Sequence, residues 1–434
     1  MAQSISPVKT AATPVITPDL LDSPATIGTQ TIARDDMSTM ARPRLDSIDL
    51  LRGLVMVLMA LDHVRDFFHA DAWAFDPTDL SKTNAALFLT RWVTHFCAPT
   101  FVFLAGTGAF LSFSRGKTKR EVSWFLLTRG VWLIVLEMTL VRFGWFFNFD
   151  YTFMFAQVIW AIGWSLVVLA GLVFLPVRMV AIFGVMMILT HNLFDRVGTE
   201  DFGALGWLWT ILHVSGILQP SGGVYMLIAY PLIPWIGVVA AGYGFGALLL
   251  KHPERRARRK LLLKIGVALT LAFVVLRFVN IYGDPVPWTP QSSAIFTFFS
   301  FINCMKYPPS LLFLLMTLGP AMVAIALFDR EGRPGLLVRF FIIFGRVPLF
   351  YYLLHLLLIH GLAILFSYAQ YGRAPWLFQN WPPPGAALPF PEGYGYGLPI
   401  VYLVWLLVVL LLFLPCYWFA NLKRRRHDTW LSYF

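Results

Sequence analysis

Ten apolar segments follow one another between residues 48 and 420, and nothing else in the sequence limits the fold so tightly. They run over 48–68, 88–112, 122–142, 153–175, 177–195, 222–249, 261–281, 309–328, 339–367 and 398–420. Each is long enough to cross the ~30 Å hydrocarbon layer, which takes ~20 helical residues. A backbone in lipid must satisfy its own hydrogen bonds, and segments of this length do so as helices rather than as barrel strands. The expectation is an all-α fold, a polytopic membrane helical bundle of about ten transmembrane helices. Composition agrees, since 58% of the 434 residues are hydrophobic and 13% are charged, against about 25% charged in soluble domains. The shorter apolar stretch GALGWLWTILHVSGIL (203–218) reads as an interfacial helix or an extra half-span.

Residues 1–45 are rich in Ser, Thr, Pro, Ala and Asp and have no apolar period, so they read as a disordered tail. No apolar core lies near Met1, so no signal peptide is expected there. The domain reading is a tail over 1–45, a transmembrane domain over 46–421 and a basic tail over 422–434. There is no convincing internal repeat.

The net charge is +11, but it does not point to nucleic acid, because the basic residues sit in short runs between apolar segments. These runs are RGKTKR (115–120), KHPERRARRK (251–260), DREGRPGLLVR (329–339) and KRRRH (423–427). Ten crossings put all four on one side with both termini, and that side is cytoplasmic by the positive-inside rule. The opposite loops, such as HADAWAFDPTD (69–79) and QNWPPPGAALPFPEGYGYG (379–397), are aromatic, Pro-rich and faintly acidic. The expected location is the inner membrane of a bacterium. Cys97, Cys304 and Cys416 are widely spaced, so no disulfide framework follows.

Ionisable residues inside a span are costly and each is a functional hypothesis. The first segment holds most of them: Asp49 and Arg52, then Asp62, His63, Asp66 and, at its end, His69. Arg52 and His63 are eleven residues apart, nearly whole turns, so they share a face ~16 Å apart along the axis. Asp66 is three residues from each histidine and within reach of either. A histidine oriented by a carboxylate can take a proton from a hydroxyl or amine, and an arginine can hold an anionic donor such as a nucleotide phosphate. The set therefore suits acyl transfer, with a donor from the cytoplasm and an acceptor outside. The competing reading is a helix-end cluster facing the outer headgroups, which applies more to Asp66 and His69 than to the deeper Asp62 and His63.

Asp49-Leu50-Leu51-Arg52-Gly53 followed by Asp62-His63 resembles the first helix of the heparan-alpha-glucosaminide N-acetyltransferase catalytic-domain family, within the wider transmembrane acyltransferases. The resemblance continues through Arg91–Pro99, Phe103–Gly108, Tyr230–Gly237 and Gly345–Tyr351. It implies an enzyme that moves an acetyl or similar acyl group from cytoplasmic acyl-CoA to an extracytoplasmic sugar or glycan. It leaves both His63 and His69 as candidates for the base, because the position matching His63 in the lysosomal member looks like an asparagine and its catalytic histidine lies further along. The animal substrate is not carried over.

Arg91 and His95 share a face of the second segment and could line the acceptor side, although Arg91 could equally snorkel to the interface. Gly106 and Gly108 suit close helix packing. Arg129 and Glu137 in the third segment are expected to pair with other helices, with donor contact as the alternative for Arg129. Lys306 could bind an anion at the outer surface or serve as an interface anchor. Arg346 is the second candidate for the donor nucleotide, beside Pro348, which should disturb its helix. His355 and His360 do not share a face and read as structural, and His191 and His213 have no obvious partner. With no HExxH or CxxC spacing, no metal is expected.

The partners expected are the lipid bilayer, acyl-CoA and a glycan, and a homo-oligomer is compatible with the sequence. A secondary transporter is the alternative, against which stands the lack of matching interrupted helices in two halves. A non-catalytic envelope component is a third reading, disfavoured by the Arg52/His63 pattern.

Overall fold

The structure is a computed structural model that describes residues 45–114, 116–219, 223–381, 389–426 and 428–434. The expected N-terminal tail, apart from Leu45, lies outside the described residues.

Fifteen α-helices are present among the described residues. In chain order they are α1 (Asp46–Phe68), α2 (Ala85–Thr94), α3 (Cys97–Phe113), α4 (Lys119–Leu136), α5 (Arg142–Phe146), α6 (Val158–Leu172), α7 (Val177–Thr190) and α8 (Gly206–Leu212). They continue with α9 (Leu232–Lys251), α10 (Arg255–Val279), α11 (Ala294–Ile302), α12 (Leu311–Phe328), α13 (Leu336–Arg346), α14 (Pro348–Tyr371) and α15 (Leu398–Arg425). Among the described residues, eight stretches are long and apolar enough to span a membrane. Two of the ten expected segments fall outside that set for different reasons: α6 has only 15 residues, and α1 carries the cluster of charges described above. The chain is a multi-pass helical membrane protein.

Several segments depart from continuous helix. Ala85–Phe113 is interrupted at His95 and Phe96, between α2 and α3. Lys119–Phe146 passes through a π-helical turn over Glu137–Val141 that joins α4 to α5. The expected helix over 339–367 breaks at Val347 and resumes with Pro348 in the first turn of α14, where its missing N–H costs nothing. Pro308 and Pro309 do not open α12; Ser310 caps it, its side chain accepting from the Phe313 N–H. Stretch 203–218 forms the short α8 and then turns into a strand.

A three-stranded sheet also corrects the purely helical expectation. Its strands are β1 (Phe153–Ala156), β2 (Gly216–Leu218) and β3 (Tyr225–Ile228), in the order β1-β3-β2. β1 and β3 are parallel, with Phe153 opposite Tyr225; β2 is antiparallel to β3, with Gly216 opposite Ile228. The segments expected to start at 153 and 222 therefore begin as strand and become helix only at Val158 and Leu232.

Small residues let the helices touch along their backbones. A Cβ on Gly106 would lie 1.9 Å from the Val239 carbonyl oxygen, and one on Gly242 would lie 2.1 Å from that of Phe103, so α3 and α9 pack in direct contact. Gly108, two residues on, meets nothing within 4 Å. At the basic end α1 and α13 meet in the same way: a Cβ on Gly53 would be 1.8 Å from the Phe341 carbonyl oxygen, and one on Gly345 1.8 Å from that of Asp49. The last helix runs on through Lys423 and Arg425, so the expected tail from 422 starts inside it.

Candidate active site

The charges of α1 sort into two groups by the turn they occupy. Near the C-terminal end of α1, Asp62, Arg65 and Asp66 form a largely buried network. Arg91 of α2 donates to Asp62 Oδ2, and Arg65 Nη2 lies 3.2 Å from Asp62 Oδ1 and 2.5 Å from Asp66 Oδ1. His63 sits beside them, its Nδ1 3.5 Å from Asp66 Oδ2. The imidazole stands edge-on to Trp145, with ring centres 5.1 Å apart, and 5.2 Å from the ring of His355. Nδ1 is buried and makes no hydrogen bond, while the side chain is 13% exposed. Nε2 is therefore the nitrogen that a ligand can reach.

These groups line a cavity of about 500 Å³. Asp62, His63, Arg65 and Asp66 come from α1, Arg91 from α2, and Lys306 and Tyr307 from the turn before α12. Trp145, Gln157 and Trp381 close other sides, and the sheet contributes Phe155 and Leu227. Lys306 is 8% exposed, with Nζ 5.1 Å from the ring centre of Tyr307. The cavity thus joins carboxylates, cations, aromatic faces and one reachable imidazole, a set able to orient a polar acceptor and take its proton.

Not every expected site residue faces it. His69 caps the end of α1, where its Nδ1 accepts from the Asp71 N–H at 3.1 Å and its backbone bridges to Tyr396. Burial holds its imidazole below the ordinary histidine range. His95 is 3% exposed and packs edge-on to Phe313; it is not among the residues that line the cavity, whereas Arg91 is.

At the basic end, Arg52 Nη1 donates to the Gly345 carbonyl at 3.2 Å and lies 3.4 Å from Asp49 Oδ1. Arg346 reaches Asp46 at 3.3 Å and Asp49 at 3.8 Å. A second cavity of about 330 Å³ is lined by Arg339, Arg346 and Arg424 with Tyr417 and Asn421. Neither Arg52 nor Arg129 lines it, and the two cavities share no lining residue. Arg129 instead donates to the Ser432 carbonyl at 3.1 Å. Glu137, fully buried, caps the start of α6 by accepting from the Trp160 N–H at 3.1 Å, so it pairs with another helix's end rather than with Arg129.

Sequence reasoning passed over several of these groups. Arg65 was given no role although Asp62 and Asp66 flank it on the same helix; Trp145 and Tyr307 had no spacing signal, because their neighbours come from other elements, and His355, read as structural, stands beside His63. Arg339 and Arg424 lay in runs read only as orientation signals. Arg142 was hidden in an aromatic stretch; it is 1% exposed and ties Asn148, Phe153 and Asn380 together beside the cavity.

Apolar helices long enough to span a bilayer, gathered around a cavity lined by carboxylates and cations, define a multi-pass membrane protein. A family model described as "Heparan-alpha-glucosaminide N-acetyltransferase, catalytic" matches residues 44–282, and the chain belongs to this family. It is therefore a membrane acetyltransferase-like protein. A comparison with curated proteins gave no match.

Proposed function

We propose that the protein transfers an acetyl or similar acyl group from cytoplasmic acyl-CoA to an extracytoplasmic sugar or glycan, with His63 as the general base. The observation that carries this reading is the imidazole of His63, standing in the cavity with one nitrogen against Asp66 and the other accessible. His63 Nε2 takes the proton of the acceptor hydroxyl or amine. The freed oxygen or nitrogen attacks the thioester carbonyl, the C–S bond breaks, and the thiolate leaves. Asp66, its carboxylate 3.5 Å from Nδ1, stabilises the imidazolium that forms. Asp62, placed by Arg91 and Arg65, and Lys306 position the acceptor.

The nucleotide phosphates of the donor belong with Arg339, Arg346 and Arg424, three guanidinium groups around one cavity. Arg52, ~16 Å along α1 from His63, is kept as a donor-side residue because it sits against the Gly345 carbonyl, next to Arg346. Arg129 and the pair of Arg91 and His95 are kept as donor-side and acceptor-side residues of lower rank, since Arg129 is held by the Ser432 carbonyl, Arg91 by Asp62, and His95 does not line the cavity. Both chain termini are assigned to the cytoplasm of a bacterium, whose inner membrane would hold the protein.

The test is the mass of surface glycans from cells with and without the gene. An increment of one acyl group that appears only with the gene supports the reading. Identical glycans, together with solute accumulation and no loss of thioester by the reconstituted protein, would point to a transporter.

A further inference from the structure

We propose that His191, Asp195 and His213 bind one divalent transition-metal ion, zinc being the type that fits two imidazoles and a carboxylate. No ligand spacing in the sequence announces this group, because His213 arrives eighteen residues after Asp195, when α8 returns the chain to the end of α7. One nitrogen of each imidazole and a carboxylate oxygen of Asp195 all lie within 4.8 Å of one another. Ligands ~2.0–2.1 Å from a tetrahedral zinc stand ~3.4 Å apart, so the set closes on an ion by moving inward about an ångström.

Proximity alone would be weak support. The second observation is His191 itself: it is 1% exposed, and both of its ring nitrogens are buried without a hydrogen-bond partner. A neutral imidazole has one donor and one acceptor, and leaving them unmet in the interior is costly. A cation satisfies the acceptor. His213 is held for the same purpose. Its ring stacks on Trp209 with centres 5.0 Å apart and an interplanar angle of 9°. Its Nε2 donates to the His191 carbonyl oxygen at 3.0 Å, which fixes the tautomer and leaves Nδ1 as the nitrogen with a lone pair for the ion. Asp195 Oδ2 accepts from Asn192 Nδ2 at 2.8 Å, which leaves Oδ1 to complete the set. Asp195 is 16% exposed on its side chain, so an ion can enter from solvent and keep a water as fourth ligand.

The role is structural. His213 ends α8 two residues before Ser215, which lines the larger cavity, and β2 follows at Gly216. A bound ion would fasten that wall to the end of α7 and leave the acyl-transfer chemistry to other groups.

The experiment uses full-length protein without an affinity tag, stripped with a chelator in detergent. It is reloaded with Zn²⁺ for metal analysis and with Co²⁺ for visible spectroscopy. The assignment predicts one zinc per chain and the absorption bands of low-coordinate Co²⁺. Asp195→Asn and His213→Gln should each weaken binding at least tenfold, and His252→Ala, on the basic side, should leave it unchanged. Asp195→Asn decides if His213→Gln does not fold, since Asp195 is the most exposed of the three. Wild-type protein that retains no zinc above the buffer level, or Asp195→Asn that retains as much as wild type, overturns the assignment.

Discussion

His63 Nδ1 faces Asp66 Oδ2 at 3.5 Å, one helical turn along α1, on the wall of the larger cavity. His69, equally close to Asp66 in sequence, instead uses its Nδ1 to accept from the Asp71 N–H at the helix end. The two histidines therefore give opposite expectations. His63→Ala should lower kcat by about 10²–10⁴-fold, the usual contribution of a general base, with little change in KM for the donor. Asp66→Asn should fall between that variant and wild type. His69→Ala should keep most of the activity, measured as acetyl transfer by reconstituted protein.

His69 also predicts a pH effect on stability. Burial lowers its pKa from 6.5 in the folded protein, so the unfolded chain binds more protons than the folded one as pH falls below about 6.5. Stability should therefore fall on acidification from pH 7 to pH 5, and His69→Gln should remove part of that slope. Thermal unfolding at several pH values, compared between the two proteins, reads it. Parallel curves for wild type and variant would contradict it.

Arg91 and Asp62 join α2 to α1 through a largely buried ion pair, with side chains 11% and 12% exposed. Breaking a buried pair from one side strands a charge and costs about 3–5 kcal/mol. Arg91→Ala and Asp62→Ala should each destabilise the protein strongly, and the double variant should lose clearly less than the sum. Strictly additive losses in unfolding midpoint would mean that the two groups are not coupled.

Gly106 and Gly108 lie on one helix, two residues apart, with opposite surroundings. A Cβ at Gly106 collides with the backbone of α9, so Gly106→Ala should destabilise by at least about 1–3 kcal/mol, as overpacking does. Gly108→Ala meets open space and should be neutral or stabilising by up to about 1 kcal/mol, from helix propensity. Unfolding midpoints of the two variants test the pair directly.

Arg339 and Arg424 flank Arg346 in the smaller cavity. If they hold donor phosphates, Arg339→Ala and Arg424→Ala should raise KM for acyl-CoA several-fold and weaken its dependence on salt, with kcat largely kept. Loss of kcat with KM unchanged would assign them another role.

What the sequence made legible was set by length and local spacing. Ten apolar runs were visible because a bilayer demands ~20 residues from each helix, and Asp62, His63 and Asp66 were visible because helical neighbours lie three or four residues apart. The sheet was not, since β1 pairs with β3 across some seventy residues of intervening chain and its strands read as the beginnings of helices. His355 beside His63 and the grouping of His191 with His213 depend on contacts between separate elements, for which a single sequence carries no period. Arg339 and Arg424 were seen but read only as orientation signals, because a basic run does not reveal which of its members turn inward.

The central claim is that the His63 imidazole accepts the acceptor's proton where thioester and sugar meet. The most direct measurement is transfer of a radiolabelled acetyl group from acetyl-CoA by purified, reconstituted wild-type, His63→Ala and His69→Ala proteins that unfold at comparable temperatures. The account predicts transfer by wild type and His69→Ala and near-complete loss in His63→Ala. Full transfer by His63→Ala would contradict it.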